Sequence, residues 1–182
     1  MGTVTTLPRG RALTRRDLAA MPDDGHRYEL IDGTLVVTPA PSRRHQRMSF
    51  RLGVVLDAAC PKDLEVLAAP FDVALADDSI LQPDLVVARR SDLTERDLPV
   101  APLLAVEVLS PSTRRIDLTL KRSRYETAGC PSYWVVDPDE PALTAWELRD
   151  GDYVEVAHVL GGEEFTAMLP FQVTVTPARL LD

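Results

Sequence analysis

Three charged residues, Glu107, Asp84 and Lys121, could do chemistry together, and the first stands where its neighbours make charge expensive. Glu107 interrupts the apolar run Leu103-Leu104-Ala105-Val106-Glu107-Val108-Leu109, and strand alternation puts it on one face with Ala105 and Leu109. A carboxylate in such a run must be paired, protonated or bound to a cation, because burying an isolated charge costs several kcal/mol. On a sheet covered on one side only, the same Glu faces solvent; a run apolar on both faces favours a covered strand and a cation beside Glu107. Asp84 follows Gln82-Pro83, and the Pro83 ring fixes the backbone where the Asp84-Leu85-Val86-Val87 run begins. Alone, a Pro-Asp pair is a turn signal. Beside Glu107 from a neighbouring strand, it makes an oxygen-rich site suited to Mg²⁺ or Mn²⁺, and no Cys/His set of zinc spacing competes. Lys121 lies four residues after Asp117 and four before Tyr125, so on a helix the three share one face. A solvated Asp117–Lys121 pair, worth about 0.3 kcal/mol, accounts for that spacing by itself. The same helix, starting in the loop that leaves the Glu107 strand, can also bring the ammonium over the carboxylates to a phosphate.

The elements that must position these residues are readable from pattern. Thr14 with Asp17 starts a short helix that ends at Met21-Pro22-Asp23-Asp24-Gly25. Strands over 27–31 and 34–38 flank Asp32-Gly33, a pair suited to a tight hairpin because both positions tolerate positive φ. Ser42 caps a helix whose apolar positions Met48, Leu52, Val55, Leu56 and Ala59 recur at helical spacing. Strands are predicted over 64–69, 71–76, 84–88 and 103–109, the last being central to the sheet. A helix from Ser112 or Thr113 to about Ala128 ends at Gly129 and Pro131. It joins two buried strands, 103–109 and 133–137, so that part of the sheet should be parallel. The remaining strand rhythm to residue 176 reads as a β-meander. The fold class expected is α/β (α+β), with a mixed sheet flanked by helices and a C-terminal β-meander. Residues 1–13 read as a loose leader and 14–182 as one domain.

Composition, 45% hydrophobic and 26% charged, is that of a globular chain. No apolar run approaches the roughly 20 residues that span a bilayer, and the start lacks a signal-peptide core, so a cytoplasmic protein without membrane contact is expected. Cys60 and Cys130 are too few for a disulfide scaffold. The net charge of −8 argues against a surface that grips nucleic acid non-specifically. Any such contact must be local. Arg114, Arg115, Lys121, Arg122 and Arg124 form one basic cluster and Arg43, Arg44, Arg47 and Arg51 another. Each is either a solvated helix face or a phosphate grip that positions rather than specifies.

Several motifs taken together resemble a known family. Tyr28-Glu29-Leu30-Ile31-Asp32-Gly33, Ser42 to Gln46 with His45, Gln82-Pro83-Asp84, and Val106-Glu107-Val108-Leu109-Ser110-Pro111-Ser112-Thr113 look like the Uma-type restriction-endonuclease-like proteins of the PD-(D/E)XK nuclease superfamily. So do Asp117, Lys121, Tyr125, Gly129 and Tyr133-Trp134-Val135-Val136-Asp137. The resemblance implies a restriction-endonuclease-like fold, a Mg²⁺ (or Mn²⁺) site and cleavage of DNA. It makes Asp84, Glu107 and Glu29 metal-binding carboxylates, with the Val108 carbonyl completing the coordination, and Lys121 the catalytic lysine. In the parent pattern the lysine stands two residues after the Glu, a place held here by Leu109; Lys121 must act from the helix instead. Read by itself, Glu29 is the solvent face of a strand and His45 a surface residue near a helix start; the resemblance promotes Glu29 and leaves His45, Asp117 and Tyr125 accessory.

The expected function is Mg²⁺-dependent hydrolysis of phosphodiester bonds in DNA by an endonuclease, with Arg43, Arg44, Arg114 and Arg115 on the nucleic acid. Two rivals stand beside it: a nuclease fold that binds without turnover, and a structural subunit of a homo-oligomer. A homodimer is expected, with Trp146 and Tyr153 of the meander as interface candidates.

Overall fold

The computed structural model of the chain describes residues 7–8 and 10–182. Of the leader expected over 1–13, residues 1–6 and 9 lie outside the described residues. Its far end is docked: Leu13 is buried and its N–H donates to the Gly33 carbonyl at 2.9 Å. Thr14 precedes α1 (Arg15–Leu18), and the Thr14 N–H donates to the Asp17 carboxylate at 2.9 Å, the return half of a capping box.

The hairpin of β1 (Arg27–Ile31) and β2 (Thr34–Thr38) forms around Asp32-Gly33, whose φ angles of 52° and 70° are both positive. Gly33 is also required by space, since a Cβ there would lie 2.4 Å from the Ala12 Cβ. Ser42 then caps α2 (Arg43–Ala59) by accepting from the His45 N–H. Next come β3 (Leu64–Ala68), β4 (Asp72–Ala76), β5 (Ser79–Leu81), β6 (Leu85–Arg89), β7 (Asp97–Leu98) and β8 (Leu104–Val108). Sequence pattern missed β5 and β7, which are too short to show alternation. After the helical segment described below, β9 (Ser132–Asp137), β10 (Ala142–Arg149) and β11 (Asp152–Leu160) follow.

Two mixed sheets result. One has the order β2-β1-β5-β4-β7; the other, β11-β10-β9-β8-β6-β3, holds β8 and β9 parallel and its remaining pairs antiparallel. β8 is buried along its whole length, as its two-sided apolar pattern predicts. Val106 and Val108 face Met48, Leu52 and Leu56 of α2, while Ala105 and Leu109 pack with Tyr125, Tyr133 and Val135 on the opposite side. Glu107 therefore points to the side that carries the second helix.

That helix is interrupted. It runs as α3 (Arg114–Ile116), a π-helical turn (Asp117–Lys121) and α4 (Arg122–Thr127), ending at Gly129 with φ 81°. The interruption has a visible cause, because the Tyr133 hydroxyl donates to the Asp117 carbonyl at 2.8 Å. A regular ladder gives that carbonyl to the N–H four residues on, and a side chain inserted into the ladder loosens the turn.

The expected C-terminal meander holds only in part. β10 and β11 extend the large sheet as a hairpin, but β12 (Phe165–Ala167) and β13 (Val173–Val175) pair with each other alone. Phe165, Ala167, Val173 and Val175 join the apolar cluster under α2, and packing there takes them away from the edge of β11. No helix among the described residues is long and apolar enough to cross a membrane.

Candidate catalytic site

Strand register brings the first two carboxylates together. Leu85 on β6 pairs with Val106 on β8 in antiparallel fashion. Continued by one residue, that register sets Asp84 opposite Glu107, and directly opposed side chains share a face. The third carboxylate arrives from the other sheet. Glu29 on β1 adjoins β5, where Leu30 faces Ile80, and its Oε1 accepts from the Gln82 N–H at 2.8 Å.

Lys121 closes the group from the π-helical turn. Its Nζ lies 2.8 Å from Glu29 Oε1, 3.2 Å from Glu107 Oε1 and 3.7 Å from Asp117 Oδ1. All four residues are at most 2% exposed, so the solvated Asp117–Lys121 pair is not what forms. The Asp84 carboxylate is held separately: Oδ1 lies 2.9 Å from Arg27 Nη1, and Oδ2 accepts from the Val108 N–H at 2.7 Å and faces His45 Nε2 at 3.3 Å. Arg27 also donates to the Gln82 carbonyl, fixing the Gln82-Pro83-Asp84 turn.

The electrostatics follow from burial and from a surplus of negative charge. Burial pushes Glu107 well above the usual carboxylate range; Lys121 opposes this, while Asp117, Asp84 and Glu29 add to it. Asp117 is pushed up to about 6, first by burial, against the pull of Lys121. Burial would raise Asp84 too, but the His45 hydrogen bond and the Arg27 charge hold it below its ordinary value. For Lys121 burial works against the charge, and the three carboxylates overcome it and raise its pKa.

These residues suit a hard cation by chemistry, since the donors are oxygens. Glu29 Oε2 and Asp117 Oδ1 are buried without a hydrogen-bond partner, and four carboxylates here face only two permanent cations, Lys121 and Arg27. Among the described residues, however, no three His, Cys, Asp or Glu side chains are arranged to share one ion. Lys121 and Arg27 stand between the carboxylates instead.

Asp84, Glu29, Glu107, Val108, Asp117, Lys121 and His45 line one cleft of about 1010 Å³. His45 is buried against Asp84, not at the surface. Tyr125 is buried beneath the group and its hydroxyl has no partner. The four arginines expected to grip phosphate do not join the cleft. Arg43, Arg44, Arg114 and Arg115 are exposed and do not line the cleft itself; Arg44 donates at 2.6 Å to the carbonyl of Pro138, a residue at its border, and Arg114 to Asp137 at 2.5 Å. Trp146 and Tyr153 are likewise taken up within the chain: Trp146 is buried under the Arg122 guanidinium, and the Tyr153 hydroxyl donates to the Cys130 carbonyl at 3.0 Å. Of the two rings expected at a homodimer interface, Trp146 is buried and Tyr153 half-buried. Arg27 and Gln82 are the site residues that sequence reasoning missed. Arg27 was findable, because it sits two residues before Glu29 and so shares its face.

The sequence profile of the Uma2 family, described as "Putative restriction endonuclease", matches residues 15–178. The crystal structure of a putative nuclease belonging to DUF820 from Anabaena variabilis ATCC 29413 superposes with a TM-score of 0.73 at 17% identity, covering 93% of this chain and 97% of that one. That likeness shows the fold, a restriction-endonuclease-like α+β arrangement of mixed sheets with few helices. No curated protein matches.

Proposed function

Since the chain belongs to the Uma2 family of putative restriction endonucleases, we propose that it is a Mg²⁺- or Mn²⁺-dependent endonuclease that hydrolyses phosphodiester bonds in DNA at the cleft floored by Asp84, Glu107, Glu29 and Lys121. One observation carries the proposal: buried carboxylates from two sheets converge on a buried ammonium at the bottom of an open cleft. A buried surplus of acid costs stability that an ordinary structural core has no reason to bear.

Asp84, Glu107, Glu29 and the Val108 carbonyl would hold the cation, which when bound lowers the pKa of a coordinated water and offsets charge developing on the phosphate. Lys121 keeps its proton because three carboxylates surround it, and it serves as a hydrogen-bond donor that orients the attacking water or a phosphate oxygen. Arg27, His45 and the Val108 N–H fix the two oxygens of Asp84, so its orientation is set before substrate arrives. Asp117 and the Tyr133 hydroxyl shape the π-helical turn that aims Lys121 into the cleft.

The test is cleavage of plasmid and of single-stranded DNA with Mg²⁺ or Mn²⁺, comparing the wild type with Asp84→Ala and Glu107→Ala. Metal-dependent cutting by the wild type alone is expected; three proteins behaving alike would overturn the reading. Calorimetric titration with Mn²⁺ should show binding that Glu107→Ala loses. A second reading, a nuclease fold that binds nucleic acid without cutting, is favoured by the cations already seated among the carboxylates. It predicts DNA binding by all three proteins and cleavage by none.

A further inference from the structure

Resting on the nuclease reading above, we infer that the substrate is single-stranded DNA, held at the cleft by base stacking on Phe50 and Tyr28 more than by phosphate contacts.

The first support is a stripe on α2. Ser42, His45, Gln46, Ser49 and Phe50 all line the cleft, a spacing of three and four residues that marks one helix face. The stripe begins beside the proposed catalytic group, where His45 Nε2 approaches Asp84 at 3.3 Å. It ends about 7.5 Å further along the axis, at 1.5 Å per residue, on Phe50, which is 68% exposed. A Phe this exposed covers no core of its own. Tyr28 also lines the cleft and supplies a second ring, steadied by its hydroxyl donating to Asp24 at 2.8 Å, with the His26 ring 6.3 Å away. Flat side chains flanking a catalytic floor are what unpaired bases stack on, at about 1–3 kcal/mol per base.

The second support is charge. Acidic residues lining the cleft outnumber cationic ones by seven to four. Of the four cations, Arg15 is paired with Asp97, Arg27 with Asp84, and Lys121 sits among three carboxylates, which leaves the exposed Arg96 as the one without an ion pair among the described residues. A duplex carries a charge about every 1.7 Å of its length, twice the density of one of its strands, and its stacked interior hides the base faces. This lining therefore disfavours a duplex on both counts. A single strand carries half the charge and offers its bases to Phe50 and Tyr28.

The third support is depth. Glu29, Glu107 and Lys121 are at most 2% exposed, so a scissile phosphate must descend into the cleft to meet them. A lone strand bends to do so more easily than a rigid duplex.

The experiment uses the full chain with Ca²⁺ in place of Mg²⁺ and fluorescence anisotropy of a labelled oligonucleotide, single-stranded or annealed to its complement. Single-strand binding at least tenfold tighter than duplex binding is expected, with a shallow salt dependence. Phe50→Ala should weaken single-strand binding about tenfold, Phe50→Trp should restore it, and neither should change the melting temperature by more than a degree or two, since Phe50 is exposed. Equal or tighter duplex binding, an unchanged affinity in Phe50→Ala, or a Phe50→Ala effect confined to the oligomeric state seen by light scattering would each overturn the inference. Cleavage assays run in parallel separate the two levels. Metal-dependent cutting confined to duplex refutes the single-strand inference and leaves the nuclease reading intact, whereas an absence of cutting on every substrate refutes the nuclease reading itself.

Discussion

Replacing Lys121 by Met tests the architecture of the site before any substrate is known. The methionine approximates the length of the lysine and keeps the apolar stem, so the change removes little but the charge. In the folded protein that charge sits 2.8 Å from Glu29 and 3.2 Å from Glu107, all three residues being essentially inaccessible. Taking one partner out of a buried ion pair leaves an uncompensated charge and costs about 3–5 kcal/mol. For a chain of this size that lowers the melting temperature by roughly 6–20 °C. The loss should also depend on pH with a definite sign. Glu107 and Asp117 already bind their protons more tightly when folded than ordinary carboxylates do, and without Lys121 that tendency grows. Native Lys121→Met then holds protons that the unfolded chain has lost, so its stability must fall as pH rises. The deficit against wild type should be smaller at pH 5 than at pH 8. Urea melts of both proteins at the two pH values give the comparison directly. A deficit below about 1 kcal/mol, the scale of an exposed pair, or one that does not change with pH, refutes the claim that Lys121 is the internal counter-ion of these carboxylates.

Three further outcomes follow from single contacts. Asp117, raised to about 6, gains a proton on folding between about pH 4 and 6, so its ionisation weakens the fold as pH rises through that window; Asp117→Asn should flatten that part of the stability profile and gain roughly 1–3 kcal/mol at pH 7, and a variant less stable than wild type at pH 7 would contradict this. Tyr133→Phe removes the donor on the Asp117 carbonyl and should cost about 1–2 kcal/mol while lowering cleavage more than DNA binding, since it disturbs the turn that aims Lys121. Gly33→Ala combines a φ of 70° with a Cβ 2.4 Å from Ala12 and should cost more than the roughly 1 kcal/mol of Gly129→Ala, which meets nothing within 4 Å; equal melting temperatures for the two would contradict it.

How much of this was legible in the sequence depends on whether a signal is local. The Asp32-Gly33 hairpin, the Ser42 cap and the buried β8 strand are written in adjacent residues, and each formed with bounds within a residue or two of expectation. Glu107 was legible for the same reason, because a carboxylate inside an apolar run advertises its cost. Glu29 and His45 were not. Each has ordinary neighbours, and each joins the buried group only because another segment covers it: the β5 strand with Gln82 for Glu29, and the Asp84 turn for His45. The basic clusters show what charge read along the chain omits. It finds Arg44 and Arg114 but not the Pro138 carbonyl and the Asp137 carboxylate that the fold brings beside them. The π-helical turn is the deepest case. Asp117, Lys121 and Tyr125 fit an unbroken helix by spacing, and nothing within residues 113–128 asks for a looser turn; the hydroxyl that opens it belongs to Tyr133, on the strand that follows. A site whose lysine is aimed by a neighbouring strand in this way couples the position of its ammonium to the register of β8 against β9. The displaced lysine is thereby tied, through the Asp117 carbonyl and the Tyr133 hydroxyl, to the parallel pair at the centre of the sheet.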